Sequence, residues 1–519
     1  MAFAAVCLLA TLSFVSADPL WVRTYNGPFD SHDEIHAIGV NDSGDVIVSG
    51  KSYVAQDDQE FVTIKYRPDG DTVWLRRFNP GAGLDGPTAL AVDHSGSIFV
   101  TGYVGDRTSE YGDWMTIKYS AAGESLWAAV HDEGDEDRAL SVDVNPAGYG
   151  FVTGRAGSAN DLDYVVVKYD HNGADAWVFR YNGGYDDGAN AVVHDEQGYT
   201  YVTGYTSSGG KDFDILTWKL GLGGDSLWAT IYAGPAGNSD EGMLAAVDGA
   251  GSLVVAGIVR DSANHSDFVT IKYASTGETL WTRCYAGPAG WDDQPTGIAV
   301  DGAGCVYLTG GSETDSGSGY NYVTVKYGPD GAQRWAVNYA GPQDRDWPCG
   351  IALDQDANVF VSGRSSDSTG GWDIVTIKYD SAGNEQRLER FDMPSLIDEA
   401  YVMALSSQGT VFVGGRTDDD STGIDYLTLA YATVTAVKEP PNVERRAPNR
   451  GATIVRGVLF LQGLGTRAVL LDVTGRKVFE LHAGANDISR LAPGVYFIRS
   501  GPTAASRRPS SAYKVVIQN

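Results

Sequence analysis

The sequence predicts an all-β chain: a β-propeller of eight four-stranded blades closed by its own N-terminal strand, then a small Ig-like β-sandwich. Three observations predict it. Four short strand-like phrases recur in fixed order about every 52 residues. No 3.6-residue apolar period persists anywhere, so helix is not expected. Most of the 65 glycines fall in turn-forming clusters between the phrases.

Taken in chain order, residues 1–17, "MAFAAVCLLATLSFVSA", read as a secretory signal with a small-residue cleavage site before Asp18. No later run approaches about 18 apolar residues, so no membrane span is expected. The expected location is secreted or at the cell surface. Residues 18–431 hold the repeats. Their phrases are a Trp-led strand ("LWVRTY", 20–25), a small apolar strand ("ALAVD", 89–93), "IFVTG" (98–102) and "MTIKY" (115–119). The last position of the "KY" phrase falls at Tyr66, Tyr119, Tyr169, Leu220, Tyr273, Tyr327, Tyr379 and Tyr431. The glycine of "TG" falls at Gly50, Gly102, Gly154, Gly204, Gly257, Gly310, Gly363 and Gly415. A four-stranded unit of this size cannot bury both sheet faces alone, and radial stacking of eight units does so.

These phrases resemble the bacterial repeat family named for seven-bladed propellers (the SBBP repeat), and more loosely the NHL repeat. The resemblance covers about residues 20–431. The family name implies seven blades, whereas the units here count to eight. The likeness to NHL propellers implies that the "ALAVD" phrase is the inner strand and the Trp phrase the outer one. The strand 20–25 would then complete the last blade and remove an exposed sheet edge.

Residues present in every unit point to shape before function. The Trp position holds Trp21, Trp74, Trp127, Trp177, Trp228, Trp281 and Trp335, with Arg387 last. These side chains are expected to fill the gaps between blades. An acidic position reads Asp33, Asp85, Asp135, Asp187, Asp240, Asp293, Asp346 and Asp398. Each carboxylate is expected to cap backbone N–H groups at the turn into the inner strand, or to pair with the recurring lysine of "TIKY". The functional alternative is a ring that attracts calcium, but no calcium-loop pattern accompanies it. No cofactor is otherwise expected.

The tight turns "DHSGS" (93–97) and "RPDGD" (67–71) belong to one face of the disc, and the longer, variable loops to the other. Variable loops on a rigid scaffold are where binding concentrates. Trp291, Trp347 and Trp372, with Asp293 and Asp346, form the candidate face for a glycan or protein ligand. Catalysis is not expected. The eight histidines include no His-Glu-x-x-His, and there is no Gly-x-Ser-x-Gly elbow or phosphate-binding Gly-x-x-x-x-Gly-Lys loop. The adjacent carboxylates Asp186/Asp187 and Asp292/Asp293 leave a polysaccharide-acting enzyme as the alternative. A purely adhesive surface protein is a third possibility. After loss of Cys7 with the signal, Cys284, Cys305 and Cys349 remain, an odd number expected as buried free thiols.

Charge marks the end of the propeller. From Pro440 onward there are 12 Lys/Arg and 4 Asp/Glu; the other 26 and 63 give the body −37. Such a body repels phosphate backbones and excludes nucleic acid as its partner. Residues 432–452 read as a Pro-rich linker. The phrases "DVTGRKV" (472–478, with Gly475 and Arg476), "LAPGVYFIR" (491–499, with Gly494 and Tyr496) and "YKVVI" (513–517) follow. Residues 453–519 thereby resemble the C-terminal sorting domain of type IX secretion cargo. The resemblance implies export across an outer membrane, with the type IX machinery as a partner.

Overall fold

The computed structural model describes residues 19–432, apart from 107–108, 135, 159–160, 208–211, 315–318, 394–396 and 420–422, and beyond them only the strands between 453 and 517. Among the described residues there is no helix. The chain divides into two compact units, Met1–Val434 and Thr435–Asn519.

The first unit is a ring of eight four-stranded antiparallel sheets. Seven blades are built from consecutive strands. Blade 1, for example, runs Asp33–Val40, Val46–Ala55, Asp58–Tyr66, Thr72–Phe78 from the inside outward. Blade 8 takes Asp398–Leu405, Thr410–Asp419 and Gly423–Ala432, and its outer strand is Trp21–Tyr25 from the other end of the unit. The pairing runs from Trp21 opposite Ala430 to Tyr25 opposite Tyr426. Each inner strand packs against the next, and the inner strand of blade 8 packs against that of blade 1, so the ring closes with eight blades.

The core is not one mass but eight clusters, one at each seam. At the closing seam, Trp21, Phe412 and Tyr426 of blade 8 meet Ile35, Val48 and Val62 of blade 1. Each sheet buries both faces against its neighbours, which is why the "IFVTG" and "MTIKY" strands are apolar on both sides. The threonines of these two phrases face each other as buried hydroxyl pairs. Thr101 Oγ1 lies 2.9 Å from Thr116 Oγ1 and Thr203 Oγ1 3.1 Å from Thr217 Oγ1.

Two recurring glycines have steric causes. Every inner strand carries a β-bulge, as between Ala189 and Ala191 of blade 4. The bulge pushes a carbonyl over the "TG" glycine of the second strand. A Cβ on Gly204 would stand 1.9 Å from the Gly188 carbonyl oxygen. The second glycine lies at positive φ in the turn before the outer strand of blades 1–7, and the Trp of the preceding blade rests on it. A Cβ on Gly123 would come within 2.6 Å of the Trp74 ring. The Trp74 indole Nε1 also donates to the Ala121 carbonyl in that same turn, at 3.2 Å.

The same contact is made by Trp21, Trp127, Trp177, Trp228, Trp281 and Trp335. Their burial differs from the uniform expectation. Trp21, Trp74 and Trp281 are buried and the other four are partly exposed. The cause is the residue two positions on. Arg23, Arg76 and Arg283 lie over those three rings and donate to the same turn. The others have Ala129, Phe179, Thr230 and Val337 there.

Cys284, Cys305 and Cys349 are free, but none is buried, and Cys284 is exposed on an outer strand. The second unit is all-β. Thr453–Val455, Ala512–Ile517, Gly494–Ser500, Ala468–Leu471 and Lys477–Leu481 form one sheet in that order, and Val458–Leu461 pairs with Gly484–Asp487 in another. Gly494 and Tyr496 stand opposite Ile517 and Val515. The signal-like residues 1–17, the stretch 433–452, Gly475 and Arg476 lie outside the described residues.

Candidate functional site

The acidic ring resolves into eight separate caps. Asp293 accepts from the Gly287 N–H at 2.5 Å, and Asp346 from the Gly341 N–H at 2.6 Å. In blades 4 and 5 the other oxygen also accepts from the end of the second strand, from the Ser207 N–H to Asp187 at 3.2 Å and from the Arg260 N–H to Asp240 at 3.0 Å. In blade 3 this place is held by Asp137, not by the expected Asp135, which lies outside the described residues. Asp137 accepts from the Glu133 and Gly157 N–H groups at 2.5 and 3.0 Å. Asp293 and Asp346 are therefore buried beneath the loop-rich face, and burial pushes both carboxyls up.

The recurring lysine does not pair with these caps. It pairs at the far end of the inner strand, as Lys272 with Asp248 at 2.8 Å. The paired carboxylates separate likewise: Asp186 caps the Leu162 N–H and Asp292 the Ser266 N–H.

Of the three loop tryptophans, the structure brings two together. A cavity of about 440 Å³ opens between blades 6 and 7, lined by Glu313, Tyr320, Arg345, Trp347, Arg364 and Trp372, with Asp346 at its base. Trp347 stands edge-on to Tyr320 at 4.9 Å, and the Arg364 guanidinium lies 5.1 Å above the Trp372 ring. Arg364 also donates to Glu399 at 2.7 Å. Trp291 is not part of this cavity. It is exposed in the loop before blade 6 and packs on His265 at 4.7 Å.

The structure adds a set of positions that sequence reading missed. The residue after each acidic cap pairs across the bulged strand with the residue after each "TG" glycine. The pairs are Glu34/Lys51, Gly86/Tyr103, Arg138/Arg155, Gly188/Tyr205, Glu241/Ile258, Gln294/Gly311, Trp347/Arg364 and Glu399/Arg416. They surround the axis at the loop-rich end of the inner strands. In a repeat whose other columns are nearly constant, this one varies around the ring, with only blades 2 and 4 sharing a pair, and that variation is the signal that would have found it. It holds five cations and three acids in a body that is otherwise strongly acidic.

On blades 7, 8 and 1 the set forms a chain of ion pairs. Arg364 and Arg416 converge on Glu399, and Arg416 also reaches Glu34. The Tyr401 hydroxyl donates to Glu399 at 2.8 Å, and the His36 ring stacks on Tyr401 at 6.3 Å. Burial and the Glu399 charge push the Tyr401 phenol well above its usual range, so it stays protonated and is no base.

Among the described residues, Asp113, Asp132 and Asp137 form the one cluster of three carboxylates, with oxygens within 4.8 Å of one another. Both Asp137 oxygens are already engaged by backbone N–H groups.

No protein-family description matches the chain, and no curated protein matches it. Similar solved structures include the polysaccharide lyase Uly1, with a TM-score of 0.44, 12% identity, and 81% of this chain and 94% of that one covered. A PL25 ulvan lyase gives 0.40, 12%, 78% and 95%. The β-propeller domain of the Trilobed protease from Pyrococcus furiosus gives 0.40, 11%, 67% and 95%. Values this low carry no inference about what this chain binds.

Proposed function

We propose that this chain is an exported propeller that binds a glycan on its loop-rich face. The observation that carries this reading is the cavity between blades 6 and 7. Tyr320, Trp347 and Trp372 supply apolar ring faces of the kind that stack on the C–H face of a sugar. Arg345, Arg364 and Glu313 supply the few convergent polar groups that fix orientation. A cavity of similar size, about 430 Å³, on the tight-turn face has no aromatic residue in its lining. Size alone therefore does not single out the first.

Binding is favoured over catalysis at this cavity because its buried carboxylate, Asp346, is bonded to the Gly341 N–H. Export rests on residues 1–17 and on the sorting-domain resemblance of the tail, with the type IX machinery as the partner. Fusing residues 440–519 to a periplasmic reporter in a type IX-competent cell tests that part.

The binding reading is tested by thermal unfolding of the full chain against a polysaccharide panel. A ligand at about 100 times its Kd adds about 2.7 kcal/mol of stability. One class of polysaccharide should raise the midpoint, and Trp347→Ala and Trp372→Ala should abolish that rise. A panel with no shift would count against a glycan ligand and favour the adhesive role.

A further inference from the structure

The ring of variable positions contains one pair that the fold does not need. Arg138 and Arg155 are direct cross-strand partners in blade 3. Like charges placed opposite each other in a sheet are destabilising. Arg155 is compensated by Glu136 at 3.5 Å and by the Tyr205 hydroxyl at 3.5 Å. Arg138 has no carboxylate at ion-pair distance among the described residues. Its guanidinium lies 5.1 Å over the Tyr103 ring, and its Nε is buried without a hydrogen-bond partner. This occurs in a body where acids outnumber bases by 63 to 26. Elsewhere in the ring, Arg364 and Arg416 have found glutamates.

The surroundings are shaped as well as charged. Tyr103 of blade 2 lies over Gly86, where a Cβ would come within 3.1 Å of its hydroxyl. Tyr205 of blade 4 lies over Gly188, where a Cβ would stand 2.7 Å from its ring. Small residues at these two positions let two tyrosines lie flat on either side of the arginine pair. Blade 3 is four steps around the ring from blade 7. An extended polymer crossing the axis would therefore meet Trp347 and Arg364 on one side and this row on the other.

We propose that Tyr103, Arg138, Arg155 and Tyr205 form a second subsite that takes the carboxylate or sulfate groups of an acidic polysaccharide. The proposal rests on the glycan-binding reading and narrows it to polyanions. A planar guanidinium pair matches such groups in geometry and charge, and the buried Tyr103 and Tyr205 hold the two guanidinium groups in place from either side. The acidic body repels polyanions in general, so attraction would be confined to the axis.

The test is equilibrium binding of the full chain to polygalacturonate, dextran sulfate and neutral dextran at two salt concentrations. The first polymer offers carboxylates alone and the second sulfates alone. At least one acidic polymer should bind tenfold or more tighter than neutral dextran. Arg138→Gln should weaken that binding about tenfold and reduce its salt dependence, while Arg138→Lys retains part of it. Arg155→Gln, made in parallel, guards against misfolding of one variant, and an unchanged unfolding midpoint certifies each. Equal affinity for neutral and acidic polymers, or intact acidic binding in both glutamine variants, would overturn the subsite. Loss of binding in Trp347→Ala would still uphold the glycan reading in that case. Absence of binding to all three polymers would overturn both.

Discussion

Arg387 donates through Nη1 to the Ala432 carbonyl at 3.1 Å, across the single seam that no tryptophan bridges. At the other seven seams an indole rests on a glycine turn between the third and outer strands of the next blade. Blade 8 has no such turn, because its outer strand, Trp21–Tyr25, arrives from elsewhere in the sequence. With no glycine to receive it, a tryptophan at 387 would have nothing to stack on. The departure from the repeat is thus a consequence of how the ring closes.

The ring should therefore fail to close between blades 8 and 1 when the strand Trp21–Tyr25 is lost. A chain lacking residues 18–25 leaves Tyr426–Ala430 as an open sheet edge and Gly70 without Trp21. Size-exclusion chromatography should show association or aggregation relative to the intact chain. Restoring the tryptophan pattern by Arg387→Trp should bring no stability gain in urea unfolding.

The seven seams that carry a tryptophan should not be equally strong. Trp281 is 8% exposed under Arg283, whereas Trp127 is partly exposed beside Ala129. Trp281→Ala should cost about 3–5 kcal/mol, and Trp127→Ala about 1–2 kcal/mol. Urea midpoints of the two variants decide this, and equal losses would contradict the role given to the arginine.

Gly204 and Gly249 make a matched comparison. A methyl group on Gly204 collides with the Gly188 carbonyl, whereas one on Gly249 meets nothing within 4 Å. Gly204→Ala should destabilise by about 2–4 kcal/mol and Gly249→Ala should stay within about 0.5 kcal/mol. Thermal midpoints measured side by side are sufficient.

Two carboxylates should make stability fall as pH rises. Asp85 is the cap whose loop provides no N–H for its second oxygen. It accepts from Gly105 at 3.1 Å, Oδ2 is buried without a partner, and burial pushes the carboxyl up to about 7. Burial, then the Asp293 charge, pushes Asp267 up to about 6. Both folded-state values lie above the unfolded one, so the folded chain holds these protons more tightly. Their contribution is complete below about pH 4 and is lost as pH rises through 6 and 7. Asp85→Asn should raise stability at pH 8 by about 1–3 kcal/mol and flatten the profile between pH 5 and 8. An unchanged profile would mean Asp85 is not the titrating group.

The constant columns were legible because each answers a local demand met in the same way around the ring. Gly204 is required by a bulge in its own blade, and Asp293 is spent on N–H groups of its own turn. Where loop chemistry was degenerate, the reading slipped. The run "DEGDED" (132–137) offers five acids, and only the register of the bulged strand selects Asp137.

The candidate site was legible only in part. Trp347 and Trp372 stand out as aromatics in polar loops, but Tyr320 enters from the neighbouring blade. Trp291, equally prominent in sequence, is diverted onto His265. Arg138 and Arg155 look like ordinary strand residues until their pairing is known.

By itself, the sequence determined the strand phrases, their number, the closing role of residues 20–25 and the identity of the packing residues. Those follow from turn chemistry and burial within one blade and its next neighbour. Only the tertiary structure decided which side chains share the axis and the cavity. That convergence is set by ring closure and cross-strand register, which bring together residues from blades far apart in the chain.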